Sequence, residues 1–230
     1  MQQEPTMSGQ DSLRIITEMI AKARTGRFHE SGSGAILWGA TVGVAGLLTF
    51  ADWYFKWQSG FDWWILALIA LIPQAWLSWQ AKKRTTVVSH EQRALDMVWA
   101  IFGISLFAII AYSNIVPGVL QQQLAAEGIT LYKHHRHQEV PTPFKPYVPS
   151  ISSLLILIYG FPTMVTGIVL RFKPMIIGGA VCYLLFILSL FTNNTWDNLL
   201  NGLAGIFNWL IPGLILQRKY QRKRQAPAHV

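Results

Sequence analysis

Residues 151–191 read ISSLLILIYGFPTMVTGIVLRFKPMIIGGAVCYLLFILSLF. The stretch holds two apolar runs joined by Arg171-Phe172-Lys173-Pro174. Each run is long enough to cross a bilayer core, which takes about 20 apolar residues. The joint is too short for anything but a tight, charged turn at one membrane face. This is a membrane hairpin, and the other apolar runs are placed relative to it.

Composition agrees. Of the 230 residues 52% are hydrophobic and 13% charged, against about 25% charged in a soluble domain. Six spans of about 20 residues would use roughly half the chain, so one all-α integral membrane domain is expected over residues 1–230. The single cysteine, Cys182, lies inside an apolar run and forms no internal disulfide. The net charge of +8 points to topology and anionic lipid rather than to nucleic acid, because the basic residues gather at the ends of apolar runs. The first apolar run begins only at Ala35, behind a polar segment, so no cleavable signal peptide is expected.

Residues 11–29 have the pattern of an amphipathic helix. Leu13, Ile16, Ile20 and Ala23 share one face, while Arg14, Glu18 and Lys22 follow at four-residue spacing on another. This helix is too polar to span. It is expected to lie on the membrane surface or to dock on the bundle, with Leu13, Ile16 and Ile20 as the candidate partner-binding face. After the Ser31-Gly32-Ser33-Gly34 joint, spans are expected at 35–52, 63–80, 97–116, 151–170, 174–191 and 198–217. Gly39-x-x-x-Gly43 allows close backbone approach in lipid; a contact within the bundle is the plainer reading, a dimer face the sharper one. Trp53, Tyr54, Phe55, Trp57, Phe61, Trp63 and Trp64 form an aromatic belt at the headgroup level. Pro73 is expected to kink the second span, and Pro117-Gly118 to end the third. An outer loop follows over 117–149, with extended, polyproline-like backbone at Pro141, Pro143, Pro146 and Pro149.

The loops sort into two sides by charge. One side holds Arg14, Lys22, Arg24 and Arg27; Lys82, Lys83, Arg84 and Arg93; Arg171 and Lys173; and Arg218, Lys219, Arg222, Lys223 and Arg224. The other holds only Lys56, Lys133, Arg136 and Lys145. Cytoplasmic loops keep positive charge, so the first side and both termini are assigned to the cytoplasm of a bacterial inner membrane. The five basic residues of the tail are candidate binders of anionic lipid headgroups.

The spans carry essentially no ionisable residue in their middles; Asp52, Asp62, Asp96 and Asp197 sit at helix ends. Proton-coupled transporters, pumps and most intramembrane enzymes need such a residue, so those classes are disfavoured. The polar residues expected inside the bundle include Gln74, Ser105, Thr163, Thr166, Asn201 and Asn208. Asn201 and Asn208, seven apart, share a helix face. With Gln74 they either join helices by hydrogen bonds or line a solute site near Pro73 and Pro212; the first is the plainer reading. His134, His135 and His137 are the one metal-like cluster, but no cysteine or acid at ligand spacing reinforces them and a solvated loop is the plainer reading. No metal or cofactor is expected. The echo between Ile36-Leu37-Trp38-Gly39 and Leu157-Ile158-Tyr159-Gly160, each followed by a glycine seven residues on, reads as chance in glycine-rich helices.

Four stretches, SLRIITEMIAKAR, ILWG, LIYGFPTMVTGIVLRFKPMIIGGAVCY and LIPGLILQRKY, together resemble an uncharacterised family of small multi-pass membrane proteins from Bacteroidetes-type bacteria. RFKPMIIGG is the most specific of them, and the loop from Gly118 to Pro149 is longer than the family pattern. The resemblance implies six helices behind one amphipathic helix, with no assigned activity, ligand or functional residue. The reading is therefore a non-enzymatic inner-membrane protein acting as a scaffold or regulatory subunit through a cytoplasmic docking surface, with a protein partner or self-association. The alternative is a permease or channel for a neutral or weakly charged solute. A tightly packed, dry core would count against the latter.

Overall fold

The computed structural model describes Thr17 and residues 32–84, 90–134, 141–148 and 150–225. The expected amphipathic helix at 11–29, with Leu13, Ile16 and Ile20, lies outside the described residues apart from Thr17, as do His135 and His137. Among the described residues the chain is helical apart from one two-residue ladder. In chain order it forms α1 (Ser33–Tyr54), α2 (Ile65–Arg84), α3 (His90–Ala126), the strands β1 (Tyr132–Lys133) and β2 (Thr142–Pro143), α4 (Ile151–Val169), α5 (Lys173–Ser189), α6 (Asn194–Gly205), a π-helical turn (Ile206–Leu210) and α7 (Ile211–Gln225). The last three run on without a break and make one C-terminal rod.

Four helices among the described residues are long and apolar enough to cross a membrane by length and composition: Ser33–Tyr54, His90–Ala126, Ile151–Val169 and Asn194–Arg222. The apolar helix Lys173–Ser189 is shorter, and α2 ends in Lys82, Lys83 and Arg84.

The rod is the axis of the fold. It packs against α1 on one side and against α4 and α5 on the other, while α4 and α5 pack tightly on each other. Backbone meets backbone along the α1 contact. A methyl group placed on Gly46 would stand 2.5 Å from the Gly202 nitrogen, and one on Gly43 would press on the Ile206 side chain. The small-residue stripe is thus a contact within the bundle, where close van der Waals packing rather than water exclusion holds helices together. Gly160 and Gly167, the echo of Gly39 and Gly46, approach α5 instead. The main buried apolar cluster, Val42, Ile156, Tyr159, Cys182, Ala204 and Trp209, lies where these four elements meet.

The helices α2 and α3 are outriggers. One packs on α1, the other on α4, and the two do not pack on each other. Only Leu95 of α3 is buried, although Trp99 and Phe102 reach across to the Trp209 ring.

Two helices extend past their expected ends. The expected span 97–116 is the middle of α3, whose 37 residues measure about 55 Å against a hydrocarbon core of about 30 Å. Pro117 lies inside this helix rather than at its end. Proline removes one donor, whereas stopping there would free a whole turn of backbone groups. The nominal loop 117–149 therefore begins as helix. It continues into a hairpin in which Tyr132 faces Pro143 and Lys133 faces Thr142, in place of the expected polyproline-like backbone at Pro143. Likewise the expected span 198–217 lies within a rod that starts at Asn194. The Asn193 side chain caps it, accepting from the Thr195 and Trp196 amides at 3.1 and 3.3 Å.

Candidate functional site

The turn that joins α4 to α5 shows how local sequence builds one end of the bundle. Leu170 closes α4, Arg171 takes a left-handed φ of 50°, and Phe172 N–H donates back to Gly167 O at 2.7 Å while Arg171 N–H donates to Ile168 O at 3.1 Å. These are the paired bonds of a Schellman turn. A cation at this position faces the negative end of the α4 dipole, which offsets the cost of a non-glycine residue there. Pro174 then presets the first turn of α5. Phe172 is buried with Met175 and Leu216, and the Lys219 ammonium sits 5.0 Å above its ring. Arg171, Lys173 and Lys219 thus gather where the rod leaves the bundle. The rod stays helical through Arg218, Lys219 and Arg222 to Gln225. Gly32, at the head of α1, meets Gly213 of the rod at this same end.

The opposite end is polar but differently charged. Asp197 is fully buried and accepts hydrogen bonds from the hydroxyls of Ser150 and Thr192. Asn198 Oδ1 accepts from Trp64 Nε1 at 3.3 Å and from Ser152 Oγ at 3.4 Å. This knot ties the head of α2, the head of α4 and the head of the rod. Nearby, Asp52 holds the aromatic loop by accepting from Ser59 N–H at 3.1 Å and Ser59 Oγ at 2.7 Å. An open cleft of about 380 Å³ lies over Asp52, Trp53, Lys56, Gln58 and Thr195. Among the described residues, Arg171, Lys173 and Lys219 thus stand at one end of the bundle, and Lys56, beside Asp52, at the other.

Between the ends runs a buried polar seam along the contact of the rod with α4. Asn208, inside the π turn, donates from Nδ2 to Tyr159 O and to Thr163 Oγ1, each at 3.0 Å. Trp209 Nε1 donates to the same Thr163 hydroxyl at 2.9 Å. One turn further along α4, Thr166 accepts from Trp99 Nε1 at 3.1 Å. Asn201 is fully buried, and neither its Oδ1 nor its Nδ2 has a hydrogen-bond partner; Asn208 Oδ1 has none either. The Tyr159 phenol lies beside the Asn201 amide.

The π turn has a local cause. Pro212 supplies no N–H to the turn before it, and Ile211 N–H reaches back five residues to Ile206 O. The loosened backbone lies against Gly178 of α5, where a methyl group would stand 2.6 Å from Phe207 O. Single π turns of this kind recur at functional sites.

The structure sets Asn208 on the Tyr159 carbonyl and Asn201 beside the Tyr159 phenol, and keeps Gln74 apart from both. Gln74 lies against Gly34 and donates from Nε2 to Ser78 Oγ at 3.3 Å. Tyr159 and Trp209, absent from the expected polar set, prove central; a tyrosine inside an apolar run, carrying a hydroxyl that wants a partner, was the available signal. His134 is exposed at the hairpin. Among the described residues no three His, Cys, Asp or Glu side chains come together. No family model, curated protein or solved structure matches the chain, so the functional reading rests on its own residues.

Proposed function

We propose that this chain is a non-enzymatic multi-pass protein of the bacterial inner membrane, acting as a scaffold or regulatory subunit through a cytoplasmic docking surface. In this reading α2 and α5 also span, giving six crossings with both termini in the cytoplasm. The 11–29 segment is an amphipathic helix, and the fold is that of the uncharacterised family resembled by RFKPMIIGG. The observation that carries the reading is the built basic end: Lys219 seated over Phe172, the Arg171 turn, and a rod that continues as helix out of the bundle. Rigid cations at one membrane face attract anionic headgroups, at about 1 kcal/mol for each basic residue near the surface. They also leave a fixed platform for a partner engaged by Leu13, Ile16 and Ile20.

The test is affinity purification from the native host into lipid nanodiscs, followed by native mass spectrometry. Leu13→Ser, Ile16→Ser and Ile20→Ser together are expected to release the co-purifying polypeptide without lowering the thermal midpoint of the bundle. Undiminished association of the triple variant would sink the reading. The competing permease reading draws on the polar seam, but its side chains are buried in helix contacts rather than facing an open path.

A further inference from the structure

We infer that the seam between the C-terminal rod and α4 holds an internal water site, seated on the Asn201 amide and the Tyr159 hydroxyl. Asn201 is fully buried, yet neither polar atom of its amide has a protein hydrogen-bond partner. Leaving a buried amide unsatisfied is costly, and a leucine of similar size would carry no such cost. The Asn201 Oδ1 and Nδ2 and the Tyr159 hydroxyl beside them offer one acceptor, one donor and one group that can do either. A bound water needs such a mixed set, and two to four polar partners satisfy it.

The same chemistry argues for a neutral guest. No charged side chain lies on the rod between Asp197 and Arg218, so the seam has no counter-charge for an ion. Entry is from the Asp197 end. There Asn198 and Ser152, followed one turn on by Asn201, continue the polar line inward from the Ser150, Thr192 and Asp197 knot. At the inner end the line closes, because Thr163 is saturated by Asn208 and Trp209. The site is thus a blind pocket for water rather than a pathway, and it stands independently of the docking reading.

The experiment is water-edited solid-state NMR on the full-length ¹⁵N-labelled protein in lipid bilayers, with bulk water as the probe. The side-chain amide of Asn201 is assigned by its loss in Asn201→Leu, or in Asn201→Ala should the first not assemble. Its signal is expected to build up from water several-fold faster than the backbone amide of Ala45, which is fully buried in α1. Build-up as slow as that of Ala45 overturns the proposal. So does a shift of the Asn201 resonance in Tyr159→Phe without any transfer from water, since that pair would then be bonded directly.

Discussion

Gly39 of α1 lies directly on the backbone of Leu210 in the C-terminal rod: a methyl group on its Cα would stand 2.2 Å from the Leu210 nitrogen. The neighbour there is main chain, which cannot swing aside as a side-chain tip can. Contact of this kind fixes the distance between α1 and the rod.

Gly39→Ala and Gly46→Ala are therefore each expected to destabilise the bundle by about 1–3 kcal/mol, the usual range for overpacking, or more where the backbone must part. Gly103→Ala in α3, where nothing lies within 4 Å, is the control and should gain up to about 1 kcal/mol from helix propensity. Thermal unfolding in detergent, followed by tryptophan fluorescence, reads both. Equal midpoints for Gly39→Ala and Gly103→Ala would mean that the close crossing does not hold.

Thr163 accepts from both Asn208 and Trp209 and itself donates to Tyr159 O at 3.2 Å. Thr163→Val keeps the shape and removes the hydroxyl, leaving Trp209 Nε1 without its acceptor and Asn208 Nδ2 with the Tyr159 carbonyl alone. The expected loss is about 1–3 kcal/mol, with Thr163→Ser restoring most of it. Combining Thr163→Val with Asn208→Ala should cost less than the sum of the single changes, because both remove the same Asn208–Thr163 bond. Strict additivity would show that the two side chains do not share the network.

The proposed orientation has a direct readout. In a Cys182→Ala background, Gln58→Cys is expected to react with a membrane-impermeant thiol reagent on intact cells. Arg222→Cys should react only after permeabilisation. Both positions are exposed at opposite ends of the bundle, so the reverse pattern would invert the topology and move the basic platform to the outer face.

Much of the architecture was legible before any coordinates. The tight turn at Arg171 to Pro174 followed from its length between two apolar runs. Less legible was which polar residue meets which. Gln74 looked like a companion of Asn201 and Asn208, yet it packs against Gly34. In a soluble helix, apolar periodicity marks the buried face. In a bilayer the lipid face is as apolar as the core, so the pattern loses most of its power to say which side of a helix turns inward. That is also why the outrigger positions of α2 and α3, and the central roles of Tyr159 and Trp209, were not visible.

What the sequence determined by itself is set by local chemistry: apolar runs long enough for a membrane, charge confined to their ends, a proline and a cation placed to close one turn and open the next. What only the tertiary structure decided is which helices touch. Gly39 on Leu210, Asn208 on Tyr159 and Thr163, and an Asn201 amide buried without a partner are relations between residues far apart in the chain. Each depends on the distance between two backbones, and that distance is set by all the packed helices together rather than by any one stretch of sequence.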